Sequence, residues 1–451
     1  MQYRGWNFEK TLLVHSRSRA RERELIDVRI PVDARWAGNL GNDVRVVLKK
    51  DWNLIESEIP SQVYAIERNG PTASFRVAFS MDVPAQGYQR VGIYYHNPAA
   101  PAPNYPSRID VDGDGLKATV KTPRCTLEMD ERCGIAKAIV GRFDPPNLGA
   151  RAVRFPDVLQ EHGCVVFAVE EQGGIRAVET ASAGWIDVEL VEDVRGPVFV
   201  KRTIRGRPAY PGCPPRQRPI AEVTYKLFAE QGYFLARTRL VFPEDTNVFG
   251  LRVGGLTVNR DRCTHYTFRP VSPDLPETDI EEMGHILVDP LLTGDLPLGN
   301  AFSSLLPYDI AWDGFLNTRK GSEHAVACLQ LQHSVACPRG AFPYYRSGAY
   351  LLRQEKTLCS GRWPIYVAIR DRRENRITIP AGTVVEELDA IVCDVFDREW
   401  GDRTDDMGRR LNSPVEISVH PRFMDGEAPP ERSEPLPRGE RRDAYLKYGV
   451  R

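Results

Sequence analysis

The chain has 451 residues, enough for two or three hydrophobic cores, and its 42% hydrophobic and 27% charged residues are those of an ordinary globular protein. Sixty basic residues stand against 61 acidic ones, a formal net charge of −1, so no global field recruits nucleic acid or an anionic membrane. Residues 1–10 lack the apolar run of a secretory signal, no stretch approaches the ~20 apolar residues of a membrane helix, and nine cysteines without framework spacing fit free thiols; a cytoplasmic location is expected.

Residues 21–97 read as strands throughout. Arg23–Val32 is a charged edge strand, Asp43–Leu48 a second, Pro60–Tyr64 a Pro-led third, and Val83–Tyr95 passes through a proline and glycine turn into an aromatic strand. A proline-rich connector, Pro98–Pro106, then marks the best domain boundary. Residues 115–135 predict two strands and a turn ending at Gly134. The order of these three pieces resembles polysaccharide lyases and glycoside hydrolases in which a small β-module precedes a large sandwich. The 115–135 hairpin itself is similar to the entry of the galactose-mutarotase-like supersandwich.

Period-2 segments continue to the end. Strands are expected at Gly163–Val169, Trp185–Val191, Val198–Ile204, Ala325–Val335, Ala349–Glu355, Pro364–Ile369 and Leu388–Phe396, and Ala221–Phe242 reads as a long hairpin turning at Glu230-Gln231-Gly232. Only Asp402–Leu411 predicts a helix. The fold class is therefore all-β: an N-terminal β-module over 1–100, an antiparallel supersandwich over 107–420, and a charged arm over 421–451, each one-sided sheet burying its apolar face against another.

Four clusters carry chemistry. Asp110-Val-Asp-Gly-Asp-Gly115 has the alternating carboxylates of a calcium loop, although the twelfth position is Lys121 rather than a bidentate acid; otherwise it is a surface turn. Asp261, Cys263 and His265 alternate, so a strand would present all three to one face as transition-metal ligands, with Glu282 and His285 as recruits. Cys328, His333 and Cys337 fit a buried strand face better than a zinc site. Arg202, Arg205, Arg207, Arg216 and Arg218 surround a proline-rich loop and suit a polyanionic glycan, or else a solvated excursion.

Residues 300–346 hold the densest catalytic chemistry and read largely as a functional loop. For β-elimination from a uronic acid, His324 or His333 removes the proton, Tyr344 or Tyr345 protonates the leaving oxygen, and Asn300 and Arg346 neutralise the carboxylate. For hydrolysis, Asp309, Asp313 and Glu323 are the acids and Trp312 a stacking platform. Resemblance to the supersandwich lyases makes elimination of an acidic glycan the leading expectation, with a glycoside hydrolase or a noncatalytic sugar-binding or assembly protein as alternatives. The expected partner is a glycan, with no nucleic acid and no membrane, in a homo-oligomer or beside a partner subunit. No cofactor is required; a divalent metal, either calcium at the Asp110–Gly115 loop or a transition metal at Asp261, Cys263 and His265, is the one option.

Overall fold

The structure, a computed structural model, describes residues 5–16, 19–52, 54–143, 151–155, 166–171, 174–179, 184–208, 214–248, 250–253, 257–259, 265–269, 312–317, 324–338, 352–354, 357–359, 362–366, 377–394 and 400–423. Side-chain alternation sets the fold from the first strand. In β1 (Phe8–His15) Leu12 and Val14 are buried while Leu13 and His15 reach the surface, the period of a half-buried strand. There follow β2 (Arg21–Asp33), β3 (Arg45–Lys49), β4 (Ile55–Ile59), β5 (Ser61–Asn69), β6 (Thr72–Val83) and β7 (Tyr88–Tyr95). β2, β6 and β5 form one sheet; β1, β7, β3 and β4 form the other. Leu12, Val14, Ile26, Ile30, Val46, Phe75, Phe79 and Ile93 fill the space between them.

Past the connector, β8 (Asp110–Asp112), β9 (Thr119–Lys121), β10 (Cys125–Met129), β11 (Ala136–Phe143) and β12 (Arg151–Phe155) make a five-stranded meander. The turn between β10 and β11 ends at Gly134, whose φ of +68° and Cβ position 2.9 Å from Ile204 Cγ1 admit no larger residue without strain. β13 (Val166–Glu171) and β14 (Gly174–Glu179) are a hairpin. β15 (Trp185–Arg195), β16 (Phe199–Pro208), β17 (Ile220–Phe228) and β18 (Tyr233–Val241) run antiparallel in succession, and the last two are the hairpin expected over 221–242. Then come β19 (Thr246–Val248), β20 (Gly250–Val253), β21 (Thr257–Asn259), β22 (His265–Arg269), β23 (Trp312–Asn317), β24 (His324–Ala336), β25 (Leu352–Gln354), β26 (Thr357–Cys359), β27 (Arg362–Tyr366), β28 (Ile377–Ile379), β29 (Val384–Asp394) and β30 (Glu416–Phe423).

The largest sheet has eight strands in the order β15-β16-β17-β18-β29-β24-β23-β22. Its inner face, carrying Val223, Tyr225, Leu227, Phe234, Ala236, Val326, Cys328 and Ile391, packs on Val120, Leu127, Met129 and Ile139 of the meander. One end of its outer face carries Phe199, Phe228, Tyr233, Leu235, Leu329 and Ala390. Leu25, Tyr64 and Ala78 of the first module cover that end together with Trp400 and Leu411 of the helix Trp400–Asn412. The all-β expectation holds, and the helix falls where 402–411 was expected. β30 pairs with β1 along its whole length, so the first module takes an edge strand from the far end of the chain, and Val415 joins its core.

Polar groups fix the first module on the large sheet. Lys226, fully buried in β17, lies 2.9 Å from Asp27 Oδ2 and 4.2 Å from the Phe199 ring centroid. Tyr64 donates its hydroxyl to the same Asp27, and Arg76 Nε donates to Asp27 Oδ1 at 3.0 Å. Gln62 Oε1 accepts from the backbone N–H groups of Val198 and Phe199 at 3.2 and 3.0 Å. At the rim, Glu230 accepts from both Arg23 and Arg108, and Glu24 accepts from Arg410 of the helix at 2.8 Å.

Candidate functional site

Where the first module stops, the outer face of the large sheet changes character. The strand registers place residues opposite one another in rows that cross the sheet. The covered row runs Val194, Lys201, Lys226, Leu235, Ala390, Leu329. The next runs Glu192, Thr203, Thr224, Arg237, Leu388, Gln332. Beyond it comes Glu189, Arg205, Glu222, Arg239, Glu386, Ser334. Acid and base alternate strand by strand in that row. Directly opposed charges of opposite sign are the favourable cross-strand arrangement.

The side chains close into one network. Arg205 donates from Nε and Nη2 to Glu222 Oε1 at 2.9 and 2.7 Å, and from Nη1 to Glu189 at 3.2 Å. Arg239 Nη1 lies 3.5 Å from Glu222 Oε2, and its Nε donates to Glu386 Oε1 at 3.0 Å; Arg237 Nη2 reaches the same oxygen at 2.9 Å. Glu222 is thus held from both sides and Glu386 by two guanidiniums. The side chains of Glu189 and Arg205 are 59% and 43% exposed, so this end of the row is open to a ligand. The hydrogen bonds that Arg205 donates to Glu222 are the leading cause of its raised pKa, which keeps the guanidinium charged.

The adjoining row adds hydroxyls and a second ion pair. Thr203 and Thr224 hydroxyls lie 3.1 Å apart, Thr203 donates to Glu192, and Lys201 Nζ lies 2.7 Å from Glu192. From β15 to β29 the surface spans roughly 19 Å of paired strands. It combines fixed donors and fixed acceptors on a rigid sheet, with the Thr203 and Thr224 hydroxyls buried beside them. Such a surface suits a ligand rich in hydroxyl groups, because each hydroxyl donates one hydrogen bond and accepts others.

The predicted arginine cluster divides. Arg205 is in the charged row, and Arg207 lies on the same face, 3.8 Å from Asp187 and donating to the Arg218 carbonyl at 3.2 Å. Arg202 points the other way, is fully buried, and donates to the Gly115 carbonyl; burial lowers its pKa. The loop Asp110–Gly115 therefore meets guanidiniums: Arg195 Nη2 lies 3.5 Å from Asp114, while Asp110 pairs with Lys121 at 3.6 Å.

The catalytic set predicted over 300–346 is distributed along strands where it is described. Trp312 and Asp313 begin β23, and His324 begins β24. Trp312 sits opposite Leu329 and Asp313 opposite Cys328, which puts them roughly 17 and 13 Å along β24 from His324. His333 is roughly 30 Å from His324 on the same strand, opposite Glu387. Register along β23 overrides the loop expected there, because it pairs over its whole length with β22 and β24, whereas β24 is the strand expected over 325–335. His324 is buried. Asn300, Asp309, Glu323, Tyr344, Tyr345 and Arg346 lie outside the described residues, as do Asp261, Cys263, Glu282 and His285; His265 opens β22 opposite Leu316. Among the described residues no group of three or more His, Cys, Asp or Glu could hold a metal ion.

Glu222, Arg237, Arg239 and Glu386 were missed as site residues. The hairpin pattern contained a signal: Glu222, Thr224 and Lys226 on one strand and Arg237 and Arg239 on the other are polar positions of matching period. Their mutual register decides that they meet, and composition alone does not supply it.

No family model matches the chain, and no curated protein matches it. Among solved structures it is similar to an α-mannosidase from Enterococcus faecalis V583, with a TM-score of 0.50 and 8% identity over 91% of this chain and 46% of that one. It is also similar to a protein in the glycosyl hydrolase family 38 from Enterococcus faecalis, with a TM-score of 0.45 and 6% identity over 91% of this chain and 47% of that one. The likeness is one of fold, and the chain spans about half the length of these neighbours.

Proposed function

We propose that this protein is carbohydrate-active and belongs with glycoside hydrolysis rather than with elimination, its glycan lying on the charged row of the large sheet. The carrying observation is the row itself: Glu189, Arg205, Glu222, Arg239 and Glu386 offer alternating acceptors and donors on a rigid face that is exposed at its Glu189–Arg205 end. The fold likeness to an α-mannosidase supports the same class. Elimination needs a neutral His or Tyr beside a carboxylate-neutralising group. Among the described residues it is carboxylates and guanidiniums that converge on the open face, not His and Tyr.

Glu222 and Glu386 are the acids of first interest, for the one Arg239 guanidinium that joins them keeps the facing oxygens within roughly 9 Å, inside the span that glycosidase carboxyl pairs use. In this reading Arg205, Arg237 and Arg239 donate to sugar hydroxyls, and Glu189 and Glu222 accept from them.

A second reading has its own observation. Hydrolysis requires one carboxyl to donate a proton to the leaving oxygen, whereas Glu189, Glu222 and Glu386 each accept from a guanidinium. On that ground the face holds glycan and the proton donor comes from elsewhere, or the protein binds sugar without turning it over.

Incubating wild type, Glu222→Gln and Glu386→Gln with a panel of neutral and uronic-acid oligosaccharides separates these readings. Products heavier by one water in wild type, lost at least 100-fold in either variant, support hydrolysis at this face. Glycan bound but unchanged supports the binding reading. Unsaturated products absorbing in the ultraviolet, formed equally by the variants, overturn both.

A further inference from the structure

The first module carries a second surface of different, aromatic character, remote in sequence from the charged row and on a different sheet. At the start of β7, Tyr88 is 49% exposed. The Arg90 guanidinium carbon lies 4.7 Å from the Tyr88 ring centroid and 4.9 Å from that of Trp52, which sits in the turn between β3 and β4, and Arg90 Nη2 donates to the Tyr88 hydroxyl at 2.7 Å. A cation stacked between two rings fixes both at low entropic cost. Leu54, in the same turn as Trp52, is 48% exposed.

Polar groups flank this platform. His15 lies opposite Tyr88 across β1 and β7, and Glu416 lies opposite His15 across β1 and β30, with His15 Nδ1 3.9 Å from Glu416 Oε2. Both side chains are exposed. An aromatic face bordered by a carboxylate and an imidazole matches one face of a sugar ring, whose C–H groups lie on the apolar surface while its hydroxyls reach the rim. Arg90 and Glu416 offset one another in charge, so the platform favours a neutral ring over an anionic one.

We propose that Tyr88, Trp52 and Arg90, with His15 and Glu416, form an ancillary binding site for a neutral pyranose unit of a glycan chain. The module then holds a polymer while its chain end is handled elsewhere. Arg90 is a positioning residue, and Tyr88 is the contact.

Only the ligand's class rests on the reading given under Proposed function; the site is tested without catalysis. Electrophoresis of the full-length protein through gels containing a soluble neutral polysaccharide, mannan or xylan, or polygalacturonate measures retardation directly. Wild type is expected to be retarded by a neutral polymer and not by polygalacturonate, and Tyr88→Ala to weaken that retardation about fivefold or more. Tyr88→Ala should process short soluble oligosaccharides as wild type does. Equal retardation of Tyr88→Ala and wild type, or no retardation by either neutral polymer, overturns the site. Because Tyr88 is a half-exposed side chain, its truncation leaves the fold intact, which thermal unfolding checks; Tyr88→Phe should restore most of the binding.

Discussion

Asp27 shows how much one buried carboxylate holds. It accepts from Tyr64 and Arg76 and pairs with Lys226, joining the first module to the large sheet. Burial pushes the Lys226 ammonium below its ordinary range, and the charge of Asp27 pulls it back. Asp27→Ala leaves two cations without their counter-charge in the interior, so a loss of about 3–5 kcal/mol in denaturant unfolding is expected. A loss below about 1 kcal/mol would mean that the network adds no stability. Buried tyrosines set the alkaline limit. Burial raises the pKa of Tyr233 and pushes Tyr95 up to about 12. The folded state keeps these protons while the unfolded chain releases them above the usual value of about 10. Stability is therefore untouched by them below that pH and falls above it, by about 1.4 kcal/mol per pH unit for each such group. Tyr233→Phe should flatten the fall measured between pH 10 and 11.5; an unchanged slope would exclude Tyr233 as its source.

At the scale of elements, position 62 decides how β5 meets the loop before β16. The Gln62 side chain occupies the space over Gly196, where a Cβ would lie 2.2 Å from Gln62 Cδ. It also accepts from the Val198 and Phe199 backbone. Gln62→Ala strands two buried N–H donors, and a destabilisation of about 2–3 kcal/mol is expected by chemical denaturation. A neutral outcome would show that water takes over both bonds.

Strand periodicity made β17, β18 and the Trp400–Asn412 helix legible, because each is an uninterrupted pattern bounded by turn residues. Alternation marks β29 only from Leu388, whereas the strand begins at Val384 and so includes Glu386. The β23 strand was read as loop, since Trp312-Asp313-Gly314 shows no alternation. What sustains it is pairing with β22 and β24 and, at Gly314, the packing of Trp400, whose ring lies 3.0 Å from where a Cβ would stand. Neither is visible in a local window.

Across the whole molecule, the pairing of β1 with β30 joins segments about 400 residues apart in the chain, and no sequence pattern announces such a contact. The charged row has the same origin. Its members come from five strands spread over residues 189–386, and only antiparallel register lines them up. In the sequence, the order of the modules leads to the expectation of an acidic glycan, and the density of His, Tyr and Arg leads to the expectation that the chemistry lies in 300–346. Among the described residues, acids and arginines gather on the outer face of the large sheet.

The proposal that a glycan is hydrolysed on that face is tested most directly by turnover in water enriched in oxygen-18. Oligosaccharide products from wild type are expected to carry one labelled oxygen at the newly formed reducing end, with the labelled yield falling at least 100-fold in Glu222→Gln. Unlabelled, unsaturated products, or labelled products formed equally well by Glu222→Gln, would contradict it.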